Sequence, residues 1–191
     1  DEKLSNVFEK FGDEIKTEVL AVSIKSGELK GYEKDWKING EAVMFLAPSG
    51  TGKSTHTRLW RQVYGDRVTM INDDKPLISV RTDERGVHVN VYGTPWCGKH
   101  GIENNISAPV KALFLLKRNE TNVARKLTIH EAFPYVFNQT YRPDNAELMR
   151  KTLILSRTMA ENVGLFELGC NMQEEAAHVA YRAAYGEEGE N

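Results

Sequence analysis

Ser49-Gly50-Thr51-Gly52-Lys53-Ser54-Thr55, entered directly from the apolar run Ala42 to Ala47, brings together the residue types that grip a phosphate chain. Gly50 and Gly52 let successive backbone N–H groups turn inward around an anion. Lys53 can bridge β- and γ-phosphates, and the Ser54 hydroxyl can ligate Mg²⁺. A helix opening at Ser54 would aim its positive end at the same anion. The pattern usually begins with glycine, and here Ala47 takes that place, which a small residue can do only with negative φ. The expected ligand is therefore a nucleoside triphosphate carried with Mg²⁺ on Ser49 to Thr55, taken as ATP with the preference over GTP left open.

Mg²⁺ at such a loop takes a carboxylate, directly or through water, beside the loop hydroxyl. Asp73 and Asp74 end the apolar run Val68 to Ile71, 20 residues beyond Lys53. Ser54 and Asp73 are the metal-ligand candidates, while either aspartate can be the base that takes a proton from an attacking hydroxyl, since neighbours in an extended chain point to opposite sides. A third segment, Gly93-Thr94-Pro95-Trp96-Cys97-Gly98-Lys99-His100-Gly101, is a glycine-bounded loop. Lys99 is expected to neutralise charge on the transferred group, with Trp96 walling the acceptor pocket and His100 donating to phosphate. Arg58 and Arg61 on the loop helix and Arg142 before Pro143 are further basic candidates, and His56 is expected on the surface of the first helical turn. His88, His130 and His178 lack metal-ligand spacing and receive no role.

Ser49 to Thr55 followed by Ile71-Asn72-Asp73-Asp74 resembles the phosphate loop and acidic pair shared by ATP-dependent phosphoenolpyruvate carboxykinase and HPr serine kinase/phosphorylase. The resemblance is close over residues 40 to 80 and extends to the rest only in element order. It implies a mixed-sheet nucleotide domain in which Lys53 and Ser54 handle phosphates and Mg²⁺ and the aspartates supply metal coordination and the base. Residues 19 to 46 contain no histidine, and no Arg-Gly-Leu-Gly occurs, so the HPr-specific elements of the family are missing. The chain also has no room for a carboxykinase's organic-acid domain. The resemblance thus implies a small stand-alone kinase that phosphorylates a hydroxyl on a peptide, a protein serine or a metabolite. An alternative is a nucleotide-binding switch module: Asp83-Glu84-Arg85-Gly86 matches Asp-x-x-Gly, but it falls at an expected hairpin tip, and no Asn-Lys-x-Asp occurs.

Positioning these groups requires an α/β chain with a mixed sheet. After an Asn6-x-x-Glu9 start, Val7, Phe8, Phe11 and Ile15 predict a short helix. Val19 to Ile24 and Leu29 to Tyr32 read as strands joined at Ser26-Gly27, and 42 to 47 as the strand feeding the loop. Ser54 to about Tyr64 reads as the loop helix, stopped by Gly65-Asp66. Pro76 to Arg81 and Val87 to Tyr92 predict an antiparallel hairpin, and Val110 to Leu116 a further strand. The remainder is predicted helical from three capping-box-like starts, Thr128-x-x-Glu131, Asp144-x-x-Glu147 and Asn171-x-x-Glu174.

At 191 residues, with no repeat and no linker-like shift, one domain spanning 1–191 is expected. The 25 basic and 27 acidic residues are interspersed and give a net charge of −2, which excludes the basic stripe of a nucleic-acid binder. The longest apolar runs are too short to cross a bilayer, so no membrane partner is expected. Cys97 and Cys170 form no paired motif, and a reducing cytoplasm is the expected compartment. Starting at Asp1, the chain leaves a removed N-terminal segment open, as it does the oligomeric state.

Overall fold

In the computed structural model of the chain, residues 14–16, 20–24, 27–29, 36–38, 40–96 and 104–186 are described. The run β5 (Ala42–Leu46) carries five consecutive buried residues. Such a strand must be covered on both faces, because its side chains alternate sides. Val43, Phe45 and Ala47 enter one core with Leu59, Trp60, Ala177 and Tyr181, whereas Ala42, Met44 and Leu46 enter another with Ile78, Val91, Val136 and Met159. The first core is closed by helices α1 (Lys53–Tyr64) and α4 (Glu175–Tyr185), and the second by α2 (Ile129–Asn138) and α3 (Ala146–Glu161). Helices thus cover both faces of the sheet.

The sheet has nine strands and is mixed. β5 lies parallel to β9 (Ser107–Arg118), and β9 lies parallel to β11 (Gly164–Cys170), whose other edge takes β10 (Val123–Lys126) antiparallel. On its opposite edge β5 meets β2 (Leu20–Ile24), which is antiparallel both to β5 and to β6 (Val68–Asn72). The first residues of β9 pair with β8 (Gly86–Tyr92), which forms a hairpin with β7 (Leu77–Asp83), and β7 in turn pairs with β1 (Glu14–Lys16). β3 (Gly27–Leu29) and β4 (Trp36–Ile38) make a separate two-stranded ladder.

The fold is therefore mixed α/β with an antiparallel hairpin and C-terminal helices, as the residue pattern predicts. Three local expectations are corrected. Ile15 belongs to strand β1 and not to a helix, since it pairs with Ile78; the rest of that predicted helix lies outside the described residues. Gly27, expected in a turn, instead opens strand β3, which pairs with β4. The C-terminal third is not wholly helical. It holds β10 and β11, whose stability comes from pairing with each other and with a strand some fifty residues earlier, a contact that local periodicity cannot register.

Helix starts follow their capping chemistry. At α2 both halves of a capping box are made: Thr128 Oγ1 accepts from Glu131 N, and Glu131 Oε2 accepts from Thr128 N at 2.9 Å. At α3 the cap is Asn145, one residue beyond the expected Asp144, accepting from the Glu147 and Leu148 amides. Asn171 caps a turn through the Gln173 amide, and α4 begins only at Glu175. No helix among the described residues is long and apolar enough to cross a membrane.

Candidate functional site

Strand directions bring the chemistry to one end of the sheet. β5, β9 and β11 are mutually parallel, and β6 shares their direction because β2 is antiparallel to both β5 and β6. The segments leaving β5, β6, β9 and β11 therefore emerge together, the place where α/β sheets collect ligands. Ala21 of β2 faces Met44 on one side and Asn72 on the other, which puts Asn72 two strand spacings, roughly 10 Å, from β5.

The glycine loop leaves β5 at Leu46. Gly50 at φ 80° and Gly52 at φ 120° occupy the left-handed half of backbone space, and Ala47 does not, since no described non-glycine residue has positive φ. The condition that lets alanine open this loop is met. The twelve-residue α1 begins immediately, with Gly52 at its N-cap and no side chain capping it, its first intrahelical bond running from His56 N to Gly52 O at 2.9 Å. The first-turn N–H groups of Lys53, Ser54 and Thr55 have no helical acceptor by geometry, which equips this end to hold an anion. Ser49, Gly50 and Ser54 are exposed, and Thr51, Gly52, Lys53 and Thr55 are half-buried. Lys53 Nζ folds back over the loop, donating to the Ala47 carbonyl and, at 3.4 Å, to the Pro48 carbonyl.

Asp73 is buried at 6% exposure, and Asp74 is half-buried beside Lys75, with Nζ 3.7 Å from Oδ2. Their placement depends on Asn72, fully buried, whose Oδ1 accepts from the Asp74 and Lys75 amides at 2.9 and 2.7 Å. Its Nδ2 donates to the Thr94 carbonyl at 3.0 Å and to the Trp96 carbonyl at 3.3 Å. Thr94 Oγ1 closes the ring onto the Lys75 carbonyl at 2.6 Å. One asparagine thus fixes both the acidic turn and the first part of the 93–101 loop. Gly93 permits the approach: a Cβ there would stand 1.8 Å from the Asn104 carbonyl oxygen. Trp96 is exposed at this end and does not plug the core. Cys97, Lys99 and His100, including the charge-neutralising role expected of Lys99, lie outside the described residues.

Several side chains depart from expectation. His56 is not on the surface. It is 2% exposed, its ring edge-on to Phe45 at 4.6 Å, and its Nε2 accepts from the Trp60 indole at 3.0 Å. Burial pushes its pKa down to about 3. The spacing to Trp60, one helical turn, is the sequence signal for an inward face. Arg142 is exposed between α2 and α3, the helices of the opposite core, and neither it nor Arg58 or Arg61 lines the loop's cleft. The Asp83-x-x-Gly86 stretch is the hairpin tip, with Asp83 Oδ1 2.9 Å from His88 Nε2, and β7 carries it roughly 20 Å from the site end of the sheet.

Arg118 has no motif around it in the sequence. At the end of β9 its Nη2 donates to the Gly50 carbonyl at 2.6 Å and its Nε to the Thr51 carbonyl at 3.4 Å. Only the register of β9 beside β5 brings it to the loop. Together these segments border a cleft of about 470 Å³ between Gly50 to Gly52, Leu116 to Asn119 and Cys170 to Met172. Half-buried Cys170 has its thiol pKa raised by burial, which makes it a poor nucleophile.

Neither a protein-family model nor a curated protein matches this chain. Among solved structures, the HPr(Ser) kinase/phosphatase from Coxiella burnetii is similar at 10% identity and a TM-score of 0.33, over 76% of this chain and 92% of that one. A likeness of that size transfers no residue roles, so the functional reading rests on the site itself.

Proposed function

We propose that this chain is an ATP- and Mg²⁺-dependent phosphotransferase that moves the γ-phosphoryl group to a hydroxyl on a peptide, a protein serine or a small metabolite. The observation that carries the reading is the glycine loop: two positive-φ glycines and Lys53-Ser54 opening a twelve-residue helix at the end of a fully buried strand. In this reading Asp73 and Asp74, which follow β6 at the same end of the sheet, supply the carboxylates that transfer requires.

In this reading the first-turn amides and Lys53 hold the β- and γ-phosphates in line with the acceptor. Lys53 exchanges its present bonds to the Ala47 and Pro48 carbonyls for phosphate oxygens. The acceptor oxygen forms a bond to the γ-phosphorus as the bond to the β,γ-bridging oxygen breaks, and ADP leaves. One aspartate of the pair takes the hydroxyl proton. The oxygen donors here, the Ser54 hydroxyl and the Asp73 carboxylate, suit Mg²⁺, which takes one or two protein oxygens and completes its shell with phosphates and water. When bound, the ion neutralises charge building on the phosphate oxygens. In the same reading Trp96, on the Thr94 to Trp96 segment anchored to Asn72, walls the acceptor side.

The test is a screen for ATP-dependent phosphate transfer onto hydroxylated peptides and metabolites, with the Lys53→Ala protein as blank. Transfer that needs Mg²⁺ and disappears in the variant is the expected result. Transfer that survives unchanged in the variant defeats the proposal.

A further inference from the structure

A loop that turns N–H groups toward an anion turns the matching carbonyls outward, because the C=O and N–H of one planar trans peptide point in opposite directions. Its shape is kept only as well as those carbonyls are held. Arg118 holds two of them in succession, donating from Nη2 to the Gly50 carbonyl at 2.6 Å and from Nε to the Thr51 carbonyl at 3.4 Å. The Gly50 carbonyl shares its peptide with the Thr51 N–H, which turns back onto the Pro48 carbonyl at 3.3 Å and closes the loop's first turn. The Thr51 carbonyl shares its peptide with the Gly52 N–H, which is thereby directed away from Arg118 and has no acceptor among the described residues.

The clamp has a firm base. Arg118 lies opposite Cys170 in the β9–β11 register, and Asn119 N continues the pairing onto the Cys170 carbonyl at 3.0 Å. No aspartate or glutamate borders the cleft beside which it stands, so nothing described there draws the guanidinium off the loop. Lys53 must leave the Ala47 and Pro48 carbonyls to reach a phosphate, whereas Arg118 can keep its bonds while the loop is occupied, since the amides of the peptides it holds face the other way. A cation on a carbonyl also polarises its peptide and strengthens the N–H as a donor.

We propose that Arg118 is a positioning residue of the phosphate loop, one that clamps the Gly50 and Thr51 carbonyls from outside and so presets the loop amides for a phosphate chain without touching the nucleotide. The proposal rests on the phosphotransferase reading and adds to it a group on β9. It is tested by equilibrium binding of Mg-ATP and of inorganic tripolyphosphate with Mg²⁺ to the full chain and to Arg118→Ala, Arg118→Lys and Lys53→Ala, at low and at raised ionic strength. Lysine keeps the charge but not the two-donor fork.

Arg118→Ala is expected to weaken ATP and tripolyphosphate alike, each by about tenfold, with the loss persisting at raised salt and the apo melting temperature within a degree or two of wild type. Arg118→Lys is expected to stay about threefold or more weaker than wild type for both ligands. Wild-type affinity in Arg118→Ala overturns the clamp and leaves the loop reading standing. So does full recovery in Arg118→Lys or a loss that vanishes with salt, either of which reduces Arg118 to a screened charge. A loss confined to ATP means that Arg118 touches the nucleoside and does not act through the loop. Failure of the wild type to bind either ligand, or binding undiminished in Lys53→Ala, overturns the clamp together with the loop reading.

Discussion

Asp73 and Asp74 are adjacent in sequence but unequal in surroundings, one buried and the other half-buried beside Lys75. Such inequality suits two different jobs. Asp73→Asn and Asp74→Asn should each lower kcat by more than they raise the ATP Kd, one changing the Mg²⁺ dependence and the other the pH profile. If both keep full turnover with a known acceptor, the pair is only the Asn72 turn. His56 makes a prediction about stability. Its pKa falls from 6.5 to about 3 on folding because burial disfavours the charged ring. Between those values the unfolded chain binds a proton that the folded chain does not, so stability drops as pH falls below 6.5. Well inside the window this one group contributes a slope of about 1.4 kcal/mol per pH unit. Urea midpoints at pH 7, 6 and 5 should show a smaller acid loss in His56→Gln than in wild type; equal losses would mean that the folded ring already titrates normally.

At the scale of elements, two glycines near the site are glycine for different reasons, and alanine substitution separates them. Gly50 has φ 80° with nothing within 4 Å of a built Cβ, so Gly50→Ala meets no clash and costs only the left-handed backbone penalty, about 1–2 kcal/mol. Its main effect should be on nucleotide affinity, through a distorted loop. At Gly93 the added Cβ would collide with the Asn104 backbone, and the segment that must move is the one Asn72 holds. Gly93→Ala should lose about 3 kcal/mol of stability, the upper range for overpacking, while leaving α1 and its loop in place. Chemical denaturation and nucleotide binding on both variants check the contrast, and the reverse ordering of stability losses would contradict it.

For the whole molecule, the loop sits on a strand buried in both cores, and half-buried Lys53, its ammonium over the Ala47 and Pro48 carbonyls, is part of neither core. The apo melting temperature of Lys53→Ala should therefore stay within a degree or two of wild type. Mg-ATP at a hundredfold excess over its Kd should stabilise the wild type by about 2.7 kcal/mol and the variant hardly at all. Undiminished stabilisation of the variant in a thermal shift experiment would remove the phosphate-binding reading.

By itself the sequence determined what short-range rules control: the strand-loop-helix order around Gly50 to Ser54, the α1 stop at Gly65, the 76–92 hairpin and the capping box at Thr128. Each depends on φ restrictions, periodicity or a side chain reaching its own backbone, all of which act within a few residues. The tertiary structure decided the rest. β11 exists because β9 and β10 flank it, His56 is interior because Trp60 and Phe45 enclose it, and Arg118 reaches the loop because the β5–β9 register puts it there. The cleft depends on three segments separated by more than fifty residues. Strand pairing and burial join residues across any sequence distance, so no local pattern in this chain could have announced them.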